Sequence, residues 1–136
     1  MPDAESVVGL GRLEVLRTLG SVLRNAGDGE RALAVVNLAL DEVDPDTVDP
    51  RMHARLLRDK AYYMMNLGRS GPIQLLQQSL EILERQVDDD RLRASVLNQL
   101  ASRYMIAGRL DEAIALATEA GAVSYTHLTL PTNREV

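Results

Sequence analysis

Apolar residues recur along the chain in three blocks, and each block is interrupted by a glycine, at Gly27, Gly68 and Gly108. The glycines lie 41 and 40 residues apart, and apolar positions at helical spacing precede and follow each one. A fixed period of this size is typical of stacked helical hairpins, because no hairpin of this kind buries its apolar face alone. The pattern therefore predicts an all-α fold, an α-solenoid of about three hairpins.

Turn and cap residues divide these blocks into helices. The first hairpin is predicted to have one helix over about 13–26 and a second, capped by Asp28, that ends near Val43. Asp49-Pro50, Ser70 and the acidic run 88–90 are read as the next three helix starts, and the last helix is predicted over about 110–120. These signals place repeats at 13–48, 49–88 and 89–122, after an N-terminal segment of residues 1–12.

The first and third blocks place large, small and alanine positions in the same order around their glycines. These positions are Leu16, Leu19, Gly20, Leu23, Ala32, Val36 and Ala39 in the first block, and Leu97, Leu100, Ala101, Tyr104, Ala113, Ala117 and Ala120 in the third. The order resembles the tetratricopeptide repeat (TPR), and the resemblance implies a protein-interaction scaffold. The middle block departs from it, because Lys60, Ile73 and Gln77 occupy positions that are usually apolar or small.

Two short strings resemble the long-period repeats of the large bacterial MalT-like and LuxR-type regulators. They are Leu56-Leu57-Arg58-Asp59-Lys60-Ala61-Tyr62-Tyr63 and Arg109-Leu110-Asp111-Glu112-Ala113. The resemblance implies a fragment of the repeat region of an ATP-binding transcription regulator. The chain itself has no G-x-x-x-x-G-K-[ST] phosphate loop, so we expect no nucleotide site on it. The alternative interpretation is a self-association module of a signalling protein.

The final segment, residues 123–136, departs from the repeat pattern. The stretch from Val123 to Thr132 resembles the translated sequence of a transposase adapter used in sequencing libraries. We interpret this tail as non-native and expect the natural gene to continue differently. Deletion of residues 124–136 is expected to leave helix content and melting temperature unchanged, with the tail itself mobile.

Composition narrows the class of protein. The chain has 46% hydrophobic and 26% charged residues and a formal net charge of −5, as in ordinary globular domains. It has no cysteine, which excludes disulfides and thiolate chemistry. No apolar stretch approaches the roughly 20 residues of a membrane-spanning helix, and residues 1–12 do not resemble a signal peptide. A cytoplasmic location without membrane association is therefore expected.

Candidate chemistry is sparse. His53 is the only histidine before the tail, and without cysteine partners it is interpreted as a surface residue rather than a base or ligand. The acidic runs at 41–49 and 88–90 lie at loops and helix starts, where capping explains them. They lack the glycine and terminal glutamate of a calcium loop. We therefore predict no enzyme activity, no catalytic residue, no metal and no cofactor.

The first helix of each hairpin is expected to line a concave binding face. The candidate partner-binding residues share the register that points away from the second helix of the hairpin, and they are Arg17, Arg24, Arg55, Arg58, Tyr62, Met65, Asn66, Asn98 and Met105. Arginine offers carboxylates a planar pair of donors, so an acidic protein or peptide is the expected partner. The alternative is a solvated face whose arginines pair with neighbouring acids. No direct binding of nucleic acid is expected.

Two further expectations concern packing. Ala32 and Ala113 should lie where the two helices of a hairpin meet without room for a larger side chain. The last helix has apolar residues such as Ile114 and Leu116 with no following helix to cover them. We therefore expect an exposed apolar patch at the C-terminal end and weak self-association through it.

Overall fold

A computed structural model describes the backbone of residues 4–132 and the side chains of residues 11–122. Within this part of the chain there are six α-helices and no strand. The helices are α1 (Ala4–Asn25), α2 (Gly29–Asp41), α3 (Pro50–Asn66), α4 (Pro72–Gln86), α5 (Asp90–Ile106) and α6 (Leu110–Thr132). Each helix packs mainly on its neighbours in sequence. This is the organisation of a solenoid, and the all-α prediction is confirmed.

The three hairpin turns have the same geometry. Gly27, Gly68 and Gly108 have positive φ angles of 83°, 70° and 80°, a conformation that glycine adopts without steric cost. After each glycine, the next backbone N–H donates to the carbonyl five residues earlier, over 2.8–2.9 Å. This bond satisfies a carbonyl at the helix end. The hairpin positions predicted from the glycines are therefore confirmed.

Carboxylate caps begin three of the helices. Asp28, Asp49 and Asp89 accept hydrogen bonds from backbone N–H groups of the following turn, over 3.0–3.1 Å, as N-cap carboxylates do. The prediction that Ser70 caps α4 is wrong. Gly71 occupies the cap with a φ of 102° and no side-chain bond, because Pro72 takes the first helical position and needs no donor there.

The outer helices are longer than predicted. α1 begins at Ala4 rather than near residue 13, and α6 continues to Thr132 rather than ending near Ala120. β-branched residues lower helix propensity by only a few tenths of a kcal/mol each, so they do not stop a helix that has already formed. The tail side chains, and with them the expected mobility of the tail, lie outside the described residues. Its non-native origin stays a prediction.

Buried side chains form two clusters that overlap along the chain. One joins α1 and α2 to Leu56 and Tyr63 of α3, and the other joins α3, α4, α5 and the start of α6. Ala32 and Ala113 are both buried between the helices of their hairpins. Their predicted position in the core is confirmed.

The middle hairpin is shifted by one residue in its second helix. In the first and third hairpins the first buried alanine of the second helix, Ala32 or Ala113, lies five residues after the glycine. In the middle hairpin Pro72 is buried four residues after Gly68, and the inward series continues with Leu76, Ser79 and Leu83. The predicted register, with Ile73 and Gln77 facing inward, is therefore wrong. The shift explains why Ile73 and Gln77 departed from the pattern, but not Lys60, which lies on α3.

Ser79 replaces an alanine of the outer hairpins at the contact between α3 and α4. It is fully buried, and its Oγ donates to the carbonyl oxygen of Ala54 over 2.8 Å. This bond satisfies the hydroxyl, which would otherwise cost about 1–3 kcal/mol to bury.

Among the described residues, no helix combines the length and apolar character that crossing a membrane demands.

Candidate peptide-binding groove

A cavity of about 420 Å³ lies along the first helices of the three hairpins, α1, α3 and α5. Its lining is mainly arginine and comprises Arg17 from α1, Arg55 and Arg58 from α3, and Asp89, Arg91 and Leu92 at the start of α5. Three of the arginines predicted from the register therefore meet in one place. We call this surface the arginine groove.

The carboxylate of Asp59 forms ion pairs with two of these arginines. Asp59 Oδ2 lies 3.2 Å from Arg17 Nε, and Asp59 Oδ1 lies 3.3 Å from Arg58 Nη2. The contact with Arg17 is an ion pair without hydrogen-bond alignment, since Arg17 Nε is buried with no hydrogen-bond partner. Arg58 Nη1 also donates to Ser95 Oγ of α5 over 3.4 Å. This series of contacts links α1, α3 and α5 across the groove.

A second carboxylate, Asp89, lies at the end of the groove. It caps α5 and also accepts a hydrogen bond of 2.9 Å from Arg51 Nε of α3. Partial burial raises the pKa of Asp89, but the hydrogen bonds from Leu92 N and Arg51 and the charges of Arg51 and Arg55 outweigh it. The net result is a pKa below the usual value, so Asp89 is ionised at neutral pH.

The groove carries excess positive charge. Four arginines line the cavity, while its lining contains one carboxylate, that of Asp89. Asp59 nearby is already shared between Arg17 and Arg58. Arg55 forms no ion pair within 4 Å with the described residues, and it acts on Asp89 only through space. The expectation of arginines paired with neighbouring acids therefore describes Arg17 and Arg58 but not Arg55.

The other predicted residues lie outside the cavity. The Arg24 guanidinium stacks over the Tyr62 ring, 5.1 Å from its centroid, and donates to Asn25 Oδ1 over 2.8 Å. This is a cation–π contact between α1 and α3. The remaining four share the helix register of the groove but do not line it, and they are Met65, Asn66, Asn98 and Met105. Met105 is exposed.

Three residues of the cavity were absent from the sequence-based set: Asp89, Arg91 and Leu92. All three belong to the cap and first turn of α5, where the sequence indicated only helix capping. Arg91 lies 17 residues before its hairpin glycine, which is four residues earlier in the repeat than Arg55. Extending the predicted face by one helical turn would therefore have included it.

The described residues contain no group of three or more histidine, aspartate or glutamate side chains placed to hold a metal ion. His53 is partly buried near the start of α3, and this burial lowers its pKa. This burial favours the neutral form of the imidazole. The chemistry that the groove offers is recognition of anionic groups by guanidinium donors.

No model of a known protein family matches this chain, and no curated protein matches it. Among solved structures, the fold is similar to a crystal structure from Podosopora anserina, described as that of a kinesin light chain with nearly identical TPR-like repeats. The TM-score is 0.72 at 19% identity, and the match covers 92% of this chain and 58% of the other. The chain thus spans less than two thirds of its structural neighbour.

This similarity shows the fold. The chain is an α-solenoid of three TPR-like helical hairpins.

Proposed function

We propose that this chain is a protein-interaction scaffold and that its arginine groove binds an acidic peptide segment of a partner. The observation that carries the proposal is the meeting of Arg17, Arg55 and Arg58 with Arg91 around one cavity. An extended peptide that follows the groove can contact α1, α3 and α5 together. Guanidinium groups pair with carboxylates through two parallel hydrogen bonds, which gives geometric selectivity as well as attraction.

Arg55 is the residue best placed to meet such a peptide. Arg17 and Arg58 already share Asp59, so a ligand carboxylate gains less from them than from Arg55. Tyr62 lies one helical turn after Arg58 on α3, so a ligand that extends along α3 could make an apolar contact with it. We therefore expect a ligand with carboxylates spaced by apolar side chains.

The test is fluorescence anisotropy with a labelled peptide of alternating glutamate and leucine, and its lysine–leucine counterpart as the peptide control. Arg55→Gln should weaken binding of the acidic peptide about tenfold, equivalent to about 1.4 kcal/mol. Arg85→Gln is the matched protein control, because Arg85 lies on α4 with its side chain 73% exposed. Equal binding of both peptides, or equal loss in both variants, would contradict the proposal.

We further propose that the scaffold belongs to the repeat region of a larger bacterial ATP-binding transcription regulator and works in the cytoplasm. The resemblance of two sequence strings supports this. Sequencing the uninterrupted gene tests it. A P-loop domain upstream or a helix-turn-helix domain downstream is the expected result, and an open reading frame with neither would contradict it.

A further inference from the structure

A second cavity, of about 260 Å³, lies between α2 and α3. Its lining comes from both helices and from the turn after α3, and comprises Leu33, Asn37, Lys60, Met64, Arg69 and Ser70. We call it the α2–α3 cavity. It is smaller than the roughly 300–1,000 Å³ of pockets for drug-sized ligands, so its size suits one inserted side chain.

The α2–α3 cavity and the arginine groove use opposite sides of α3. Lys60 lines the cavity, whereas Arg58, two residues earlier, lines the groove. Successive residues of an α-helix are about 100° apart around its axis, so these two positions are about 200° apart. A peptide segment in the groove therefore does not fill the cavity, and the two sites are separate.

The chain has a second junction of this kind, between α4 and α5, and large buried side chains occupy the equivalent positions there. Lys60 and Leu100 both lie eight residues before their hairpin glycines. Met64 and Tyr104 both lie four residues before theirs. Leu100 is 1% exposed, and the buried Tyr104 hydroxyl accepts a hydrogen bond of 2.7 Å from Gln77 of α4. The middle hairpin thus has an amine where the third hairpin has a buried leucine.

The charge of Lys60 is not matched within the described part of the chain. Its side chain has no ion pair or hydrogen bond to residues 11–122. The carboxylate next to it in sequence, that of Asp59, is shared by Arg17 and Arg58 in the groove. Lys60 is nonetheless half-buried, and a partly desolvated charge is stabilised by an opposite charge.

The second cation of the cavity, Arg69, already has its partner. Both carboxylate oxygens of Glu30 accept from Arg69 Nη2, over 2.7 and 2.8 Å. The cavity therefore offers one unmatched positive charge, that of Lys60. This favours a ligand with a single negative charge over a phosphate group, which carries about −1.5 to −2 at neutral pH.

The uncharged lining adds two kinds of contact. The Asn37 amide and the Ser70 hydroxyl are hydrogen-bond donors, and neither side chain has a partner between residues 11 and 122. Leu33 and Met64 supply apolar contacts. A carboxylate on a short aliphatic chain therefore matches the cavity, and among amino-acid side chains glutamate has this form.

We propose that the α2–α3 cavity is a second partner-binding site, which takes the side chain of a single glutamate from a partner protein. The glutamate carboxylate pairs with the Lys60 ammonium group, and its two methylene groups lie against Leu33 and Met64. Such a hydrogen bond between charged groups is stronger than one between neutral groups. No residue of the arginine groove takes part, so the site is additional to the proposed function.

Lys60 is the only lysine of the chain, so isotopically labelled lysine gives NMR signals from this side chain alone. The probe is N-acetyl-glutamate amide, with N-acetyl-glutamine amide as its uncharged counterpart of the same shape. The Lys60 signals should shift and saturate with the glutamate probe, with a dissociation constant on the order of 1 mM for a ligand of this size. The glutamine probe should bind at least about tenfold more weakly, because it lacks the charge.

Methyl-labelled methionine gives a second readout, at Met64, that remains when Lys60 is changed. Lys60→Gln should weaken binding of the glutamate probe about tenfold. Lys60→Leu should abolish it, because the leucine would occupy the cavity as Leu100 occupies the equivalent position. Arg85→Gln is the matched control, since it removes a positive charge from an exposed position of α4 and should bind like the parent. Thermal melting by circular dichroism establishes that each variant folds.

Four results would overturn the proposal. They are a glutamate probe that shifts no signal, equal shifts with both probes, shifts that sodium chloride reproduces at equal ionic strength, and undiminished binding in Lys60→Gln. Tighter binding of inorganic phosphate than of the glutamate probe would overturn the choice of a singly charged ligand. Arg55→Gln should leave this titration unchanged while it weakens peptide binding in the groove, so the two proposals succeed or fail separately.

Discussion

The interior of the solenoid and its first helix use the same residue at the same repeat position with opposite results. Val96 of α5 is completely buried against the middle hairpin, while its equivalent Val15 of α1 is 64% exposed. The residue type and the helix register are identical, so the difference comes only from the presence of a preceding hairpin. Burial at this repeat position thus depends on a neighbouring hairpin, unlike the burial of Ala32 and Ala113 within their own hairpins.

The largest expected effect breaks the packing within one hairpin. Ala113→Glu places a charge without a partner in the contact between α5 and α6, where Ala113 is 1% exposed. An unpaired buried charge costs several kcal/mol, so we expect loss of cooperative melting in circular dichroism. Ala117→Glu is the matched control, because Ala117 lies one turn later on the same helix and is exposed. A variant at position 113 that melts like this control would mean that the assigned register is wrong.

A smaller effect tests the comparison of the two valines directly. Val96→Ala removes two buried methyl groups, and it should lower the free energy of unfolding by about 2 kcal/mol. Val15→Ala makes the same chemical change at an exposed helix position, so its effect should stay within about 0.5 kcal/mol. Urea unfolding followed by circular dichroism measures both. Equal losses at the two positions would show that the side of α1 that carries Val15 is already covered under the conditions of the experiment.

The smallest effect compares two capping carboxylates, one that also contacts the neighbouring hairpin and one that contacts only its own helix. Asp89 caps α5 and also binds Arg51 of α3, whereas Asp28 caps α2 and pairs with Arg31 of the same helix. Asparagine still caps a helix but carries no charge. Asp89→Asn should therefore cost about 0.5–1 kcal/mol at neutral pH, and Asp28→Asn should cost less.

The effect at Asp89 should also depend on pH. The folded-state pKa of Asp89 is lowered, so its charge stabilises the fold above the unfolded-state pKa, about 3.9. That contribution is lost as pH falls through the folded-state pKa. The difference in melting temperature between the parent and Asp89→Asn should therefore be constant near neutral pH and shrink below about pH 4. A difference that does not change with pH would assign the effect to geometry rather than charge.

Local features of the fold were predictable from the sequence, and features that depend on a neighbour were not. The hairpin glycines, the caps Asp28 and Asp49, and the acidic run 88–90 that contains the cap Asp89 were identified, because each acts within about one turn of helix. The register of α4 was misassigned because Pro72 shifts the helix start, and only packing against α3 reveals which face turns inward. Leu19 matched the buried pattern, yet its exposure depends on a preceding hairpin that the described chain does not contain.

The same distinction applies to the candidate site. The register of the first helices identified Arg17, Arg55 and Arg58, because a helix face follows from sequence spacing alone. It did not identify Arg91, because the predicted face stopped one helical turn short of it. The pairing role of Asp59 was missed because it depends on how closely α3 approaches α1.

The series of contacts from Arg17 through Asp59 and Arg58 to Ser95 has a mechanical consequence. These contacts lie along the first helices of all three hairpins, so they cross both boundaries between hairpins. Moving the first helices of adjacent hairpins apart would stretch these contacts, so they resist that movement. A bound carboxylate that draws Arg58 away from Asp59 would remove one of the contacts and loosen the connection between neighbouring hairpins.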